Sequence, residues 1–135
     1  MAGDAAILAV FNASDWYHRE VMRGAFDYRR ERAGWRMTCG HGGELDRPAG
    51  FAGILGFLGD QTSVDRARAA PIPAVNFSDS RIDRGLSHVV PDNRALGRLA
   101  AAHALDRAYA SFAYVGDGQL RWDRLRRDGW VKRLR

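Results

Sequence analysis

The sequence has 135 residues, a single cysteine and a formal net charge of +5. Its length fits one ordinary domain, and a hydrophobic share of 46% excludes a largely disordered chain. The lone Cys39 excludes an internal disulfide, and no apolar run is long enough to span a bilayer. We therefore expect a cytoplasmic protein with no membrane partner.

The positive charge is concentrated at the C-terminal end of the chain. Positions 119–135 hold seven basic and two acidic residues. No series of aromatic residues of the kind that binds single-stranded nucleic acid accompanies them. We therefore expect a solvated helix face there and no direct contact with DNA.

The first third of the chain predicts a strand, a helix and a second strand. The apolar run AILAVF at 6–11 predicts a strand buried on both faces of a parallel sheet. Apolar residues at helical spacing predict a helix at 16–32 that ends before Gly34. The alternating segment 35–39 predicts a strand nearer a sheet edge, and 44–46 has room for one helical turn.

The remaining chain repeats this alternation. It first predicts a strand at 51–58, a short helix begun by Asp60, Thr62 or Ser63, and a strand at 74–77. A polar loop at 78–86 and a strand at 88–90 follow. The last predicted elements are a helix at 93–107 with Asn93 as its N-cap candidate, a strand at 111–115 and a helix at 123–134. Strands that alternate with helices indicate an α/β fold, with a mostly parallel sheet and helices on both faces. In such sheets ligands bind at the carboxyl ends of the strands.

The loops that follow the predicted strands concentrate polar side chains. Neutral polyols are bound by planar groups that donate and accept hydrogen bonds, beside an aromatic ring. The candidate groups are Asn12, Asp15, Asp60, Asp92 and Arg126, with Trp16 or Tyr17 as the ring. Each Asp or Asn also has an ordinary role in turns and helix caps, so only their joint position at one edge points to a ligand site.

Other chemistries have less support in the sequence. The turn NASDWY after the first strand lacks the glycines of a phosphate or dinucleotide site, and the spacing of Asp15, Asp60 and Asp79 is poor for a response-regulator receiver. Cys39 and His41 are close together, but no further cysteine or neighbouring histidine completes a metal site. No nucleophile, base and orienting group occur as a set, so we expect no enzyme, metal or cofactor.

Three blocks of the sequence resemble one family. They are AILAVFNASDWYHREVMRGAFDYRRERAGWRM, VVPDNRALGRLAAAHALDRAYASFAYVG and RWDRLRRDGWVKRLR. Together they resemble the sugar-sensing domain of xylose operon regulators, AraC-family transcription factors with a periplasmic-binding-protein-like sensor and a DNA-binding domain. The second block also resembles lactose-repressor-like proteins, in which an Asp-Asn pair opens a helix. The likeness covers nearly the whole chain from Ala6 onward.

The resemblance implies a fold, a ligand and contact residues. Residues 1–135 would be a single domain, the N-terminal lobe of a type I periplasmic-binding-protein-like sensor, and the effector would be a pentose such as xylose. Asp92 and Arg126, the latter from an Arg-x-x-Gly-aromatic pattern, would contact the sugar hydroxyls. The loop after the first strand would also face the effector through Asn12, Ser14 and Asp15.

The chain departs from the family pattern in two respects. Segment 40–50 (GHGGELDRPAG) is short for the usual helix, and the chain ends where a second lobe would begin, with no helix-turn-helix module. We therefore expect a fragment, a truncated gene product or a degenerate copy. It would contact operator DNA only through an absent domain.

A second hypothesis is a stand-alone α/β interaction or dimerisation module. The small residues Ala100, Ala101 and Ala104 would allow close helix packing, including a homodimer, although the same alanines also suit packing on a sheet. A small hydrolase or phosphotransferase is the third hypothesis, and no constellation of residues supports it.

Overall fold

The computed structural model describes residues 5–32, 34–40, 42–80 and 85–135, and the chain divides into two compact units, Met1–Val89 and Val90–Arg135. The elements of the first unit are β1 (Ala5–Val10), α1 (Trp16–Glu31), β2 (Trp35–Gly40), a short 3-10 helix (Gly42–Asp46), β3 (Gly53–Gly56), α2 (Gln61–Ala69), β4 (Ala74–Asn76) and β5 (Ser87–His88). The second unit holds α3 (Asn93–Asp106) and α4 (Arg121–Leu134). His41 and residues 81–84 of the predicted polar loop lie outside the described residues.

The sheet of the first unit is parallel throughout its described pairings. Its strand order is β2-β1-β3-β4-β5, and Leu8 of β1 lies opposite Thr38 on one side and Ile54 on the other. The predicted α/β fold with a parallel sheet is therefore confirmed, as is the edge position of β2. Pro71 and Pro73 precede β4, where a missing backbone N–H disturbs no pairing in the strand.

Helices cover both faces of this sheet. The connection from β1 to β2 leads sideways toward the outer strand β2, whereas the connection from β3 to β4 leads in the opposite direction, toward the outer strand β5. Right-handed crossovers in opposite directions place their helices, α1 and α2, on opposite faces. The core on the α2 face contains Leu8, Leu45, Ile54, Leu58, Val64, Ala67 and Ala74.

In the second unit α3 and α4 cross at two glycines. A Cβ at Gly97 would collide with the carbonyl oxygen of Arg126, and a Cβ at Gly129 would collide with the carbonyl oxygen of Arg94. The missing side chains let the two backbones approach closely. Ala101, one of the alanines of the interaction-module hypothesis, is fully buried in the described structure.

The predicted strand at 111–115 is wrong. Its sequence alternates as a strand does, but residues 111–117 belong to no strand in the described structure. The rings of Phe112 and Tyr114 pack against Trp130 of α4, whereas Val115 is 95% exposed. A strand needs a neighbouring strand for its backbone hydrogen bonds, and the Val90–Arg135 unit contains only two helices.

Candidate functional site

The parallel strands of the first unit bring their carboxyl ends to one edge of the sheet, which we call the carboxyl edge. Segments 11–15, 57–60 and 77–80 follow β1, β3 and β4 at this edge. Four of the predicted ligand residues lie in these segments: Asn12, Ser14, Asp15 and Asp60. Their common position agrees with the sequence analysis, while their role as ligands stays a prediction.

The segment after β1 is held by its own polar side chains. Asn12 Oδ1 accepts a hydrogen bond from the backbone N–H of Ser14 at 2.9 Å, and Asp15 Oδ1 accepts from the N–H of His18 at 3.1 Å. Asp15 is thus the N-cap of α1, and the hydrogen bond from His18 holds the pKa of its carboxyl below the usual 3.8. All three predicted residues of this segment are exposed to solvent.

Asp60 has the same structural role at the start of α2. Its Oδ1 accepts from the N–H of Ser63 at 2.8 Å, and its Oδ2 accepts from the Ser63 hydroxyl at 2.8 Å. These hydrogen bonds lower the pKa of Asp60, so it is an exposed, ionised carboxylate at neutral pH. Of the three N-cap candidates for this helix, Asp60 is the one that the structure uses.

Asn76, which the sequence analysis did not select, connects two segments of the carboxyl edge. Its side chain is fully buried at the end of β4. Asn76 Oδ1 accepts from the N–H groups of Leu58 and Ser78 at 3.0 and 2.8 Å, and Nδ2 donates to the Leu58 carbonyl at 3.1 Å. The segments after β3 and β4 are therefore fixed to each other. The available signal was an amide side chain inside the otherwise apolar strand AVNF.

An aromatic cluster lies beside these polar segments. The Phe57 ring stacks on His18 at 3.7 Å between centroids and contacts Tyr17 and Phe77 at 5.8 and 5.7 Å. Trp16, at the start of α1, is 68% exposed. Trp16 and Tyr17 are the candidate rings predicted from the sequence, and the structure adds Phe57 because the strand before it ends at this edge.

His18 links the aromatic cluster to the segment after β1. Its Nδ1 accepts from the backbone N–H of Asn12 at 3.2 Å. Partial burial lowers the pKa of His18 below its usual 6.5, while the nearby Asp15 carboxylate acts in the opposite direction. A neutral imidazole is the form that can accept this hydrogen bond.

In the second unit the cap of α3 is Asp92, so the prediction of Asn93 as the N-cap is wrong. Asp92 Oδ1 accepts from the N–H of Ala95 at 2.9 Å. Asn93 is instead buried, and its Oδ1 accepts from Arg126 Nε at 2.8 Å. The Arg126 guanidinium also lies 4.7 Å from the centre of the Trp122 ring. Arg126 is therefore held by Asn93 and Trp122. The pairing of Asp92 with Arg126 in a sugar contact stays a prediction.

Asp123 is a second buried polar residue that the sequence analysis missed. Its Oδ1 accepts from the Tyr114 hydroxyl at 2.7 Å, and its Oδ2 accepts from the N–H of Gly118 at 2.8 Å. These two hydrogen bonds lower the pKa of Asp123, while burial and the bond to Asp123 raise the pKa of Tyr114. The arrangement anchors the segment before α4.

The described residues contain no metal-ligating cluster and no membrane-spanning helix. Within the described ranges no group of three or more His, Cys, Asp or Glu residues has an arrangement that could hold a metal ion. Cys39 is exposed on β2. None of the described helices has the length and apolar composition to cross a membrane.

Comparison with known proteins identifies a shared fold. No protein-family model matches the chain, and no curated protein matches it in sequence.

The fold is similar to that of a carbohydrate-transporter solute-binding protein from Chloroflexus aurantiacus in complex with D-glucose. The TM-score is 0.69 and the sequence identity is 17%, and the match covers 98% of this chain and 44% of that chain. It is also similar to an ABC-transporter solute-binding protein from Burkholderia multivorans with an unknown ligand described as α-D-erythrofuranose, with a TM-score of 0.73, 16% identity, and coverage of 99% and 57%. The chain thus has a periplasmic-binding-protein-like α/β fold and spans about half the length of these proteins.

Proposed function

We propose that the chain is part of a sugar-binding protein and that the carboxyl edge is a sugar-binding surface. The observation that carries this proposal is the meeting of two kinds of group at that edge. Asp15 and Asp60 place ionised carboxylates in segments after the neighbouring strands β1 and β3, and the ring cluster around Phe57 lies beside them. Carboxylates accept from sugar hydroxyls, and aromatic rings pack on the apolar face of a pyranose. The fold shared with a protein solved with D-glucose supports the same function.

Asn12 and Ser14 are further proposed sugar contacts of the first unit, and Asp92 and Arg126 are proposed sugar contacts of the second unit taken by itself. Asp92 is exposed, and its Oδ1 is bound to Ala95 as a helix cap. A carboxylate has two acceptor oxygens and a guanidinium has five N–H donors, so a cap bond or a bond to Asn93 leaves capacity for a ligand. Structural and ligand roles are compatible for each of these side chains.

We further propose that the sugar is an effector, a pentose with xylose as the first candidate, and that the chain belongs to a bacterial transcription regulator in the cytoplasm. The support is the resemblance of the three sequence blocks to xylose operon regulators. Sugar binding would favour one of two conformations, and a DNA-binding domain would respond to that shift. Fractionation of the native cells tests this proposal, because a regulator remains in the cytoplasm whereas a transport protein is exported.

The Asp60→Ser variant tests the binding surface without removing the helix cap. Serine also caps helices, so the variant keeps a side-chain oxygen for the N-terminus of α2 but loses the carboxylate. We expect its affinity for D-xylose or D-glucose to fall about tenfold or more in a calorimetric titration, because a charged hydrogen bond contributes about 1.5–3 kcal/mol.

The matched control is Asp65→Ser, on the same helix. Asp65 is exposed and accepts from the Gln61 side chain at 2.8 Å. This control should bind sugar as the unmodified chain does. Equal affinity for the Asp60 and Asp65 variants, with both folded by circular dichroism, would remove Asp60 from the proposed surface.

A further inference from the structure

His18 contacts two segments of the carboxyl edge at once. Its Nδ1 accepts from the backbone N–H of Asn12, and its ring stacks on Phe57 with the two ring planes 9° apart. Asn12 belongs to the segment after β1, whereas Phe57 belongs to the segment after β3. Asn76 makes a comparable connection between the segments after β3 and β4. Two side chains therefore join the three segments in series.

The contact between His18 and Asn12 depends on the protonation state of the imidazole. A backbone N–H is always a donor, so Nδ1 of His18 has to offer a lone pair, and the proton of the neutral ring is then on Nε2. A proton on Nδ1 would place two donors against each other and remove the bond. The segment after β1 is thus attached to the ring while the imidazole is neutral and detached once it is charged.

The charged groups close to His18 keep their charge in mild acid. Asp15 accepts from the backbone N–H of His18, and this bond holds the pKa of the Asp15 carboxyl below 3.8. Arg19 donates to the Ala13 carbonyl at 2.8 Å, and its guanidinium stays protonated. From the segment after β3, the group that faces the imidazole is the uncharged ring of Phe57. Between about pH 5 and 8, His18 is therefore the member of this group whose charge changes.

We propose that His18 is a positioning residue of the sugar site and that sugar binds more tightly while its imidazole is neutral, which rests on the sugar-binding function proposed for the carboxyl edge. The neutral ring holds Asn12, whose Oδ1 accepts from the Ser14 N–H, and the His18 backbone holds Asp15. These three predicted contact residues thereby keep a fixed position beside Phe57. After protonation the segment is released at Asn12, and sugar binding must order it again, which lowers the affinity.

Calorimetric titration with D-xylose or D-glucose at a series of pH values tests the proposal, with circular dichroism to confirm that the chain is folded at each pH. We expect the affinity to fall about threefold to tenfold between neutral pH and about pH 5, because one net hydrogen bond contributes a factor of this size. In His18→Asn the affinity should be independent of pH over this range, since an amide oxygen can accept at every pH. The control His103→Gln, at an exposed position of α3, should keep the pH dependence.

NMR distinguishes a failure of this proposal from a failure of the sugar site. In the sugar-free chain the amide resonance of Asn12 should shift with the same midpoint as the His18 ring. Saturating sugar should lower the pKa of His18, because the coupling between proton and sugar is reciprocal. Sugar affinity that is equal at every pH, or an Asn12 amide that does not follow the His18 titration, overturns the proposal and leaves the sugar site in place. No sugar binding at neutral pH overturns the sugar site and this proposal with it.

Discussion

At the scale of single residues, Asn76 joins two segments of the carboxyl edge. Its one side chain satisfies two backbone N–H groups and one carbonyl, from Leu58 and Ser78. Removing the amide would leave these groups buried without partners, and each such group costs about 1–3 kcal/mol. The segments after β3 and β4 would also lose their connection.

We therefore expect Asn76→Ala to lower the free energy of unfolding of the first unit by about 3 kcal/mol. Denaturation in urea, followed with a probe in the Met1–Val89 unit, measures this change. Asn12→Ala is the control, because Asn12 is exposed and accepts one local hydrogen bond from Ser14. It should cost less than about 1 kcal/mol. Equal losses in the two variants would contradict the role assigned to Asn76.

His18 should make the first unit less stable in mild acid. Burial lowers its pKa below 6.5 in the folded chain, so the unfolded chain takes up a proton at a higher pH. The stability that comes from the neutral imidazole is complete above the unfolded pKa and is lost as the pH falls through the folded pKa. Protonation would also put a donor on Nδ1 against the N–H of Asn12.

We expect the free energy of unfolding to decrease as the pH falls from neutral to about 5, and part of this slope to disappear in His18→Asn. His103→Gln, at an exposed position of α3, should keep the slope. The imidazole resonances followed by NMR give the pKa of His18 directly. A value at or above 6.5 in the folded chain would contradict this account.

At the scale of elements, the sequence predicted helices and strands well where the signal is local. Helical spacing located α1 to within one residue of its end, and the apolar run located β1. The caps were harder, because Asp and Asn suit both a cap and a ligand contact. Asp92 caps α3 and the neighbouring Asn93 binds Arg126, a partner 33 residues away that local patterns do not reveal. The strand predicted at 111–115 failed for the same reason, since a strand depends on a distant neighbour.

The crossing of α3 and α4 gives a prediction at this scale. Gly97→Ala and Gly129→Ala should each destabilise the second unit by about 3 kcal/mol, because a methyl group at either position meets the backbone carbonyl of the other helix. Gly24→Ala on α1 is the matched control, since no atom lies within 4 Å of its Cβ position. Alanine is the better helix former, so the control should gain up to about 1 kcal/mol. Thermal unfolding of the three variants measures these changes. A gain in stability for Gly97→Ala and Gly129→Ala like that of Gly24→Ala would contradict the close crossing of the two helices.

At the scale of the whole molecule, the sequence predicted an α/β fold with a parallel sheet, and the structure confirms it. The pattern did not reveal the strand order or the two compact units, because both depend on contacts between residues far apart in the chain. The polar edge was predictable because Asn12, Asp15 and Asp60 lie in the loops that follow apolar strands. The buried Asn76 and the ring of Phe57 were not selected, because their roles depend on partners from other elements.

The central claim is that sugar binds at the carboxyl edge of the first unit, and mapping amide chemical shifts during a titration with D-xylose or D-glucose tests it most directly. We expect shifts that are concentrated in segments 11–18 and 57–60 and that saturate with sugar concentration. Residues 49–52 serve as an internal reference, because they directly precede β3 at the opposite end of that strand. Saturating shifts confined to other parts of the chain, or no shifts with any aldose, would contradict the claim.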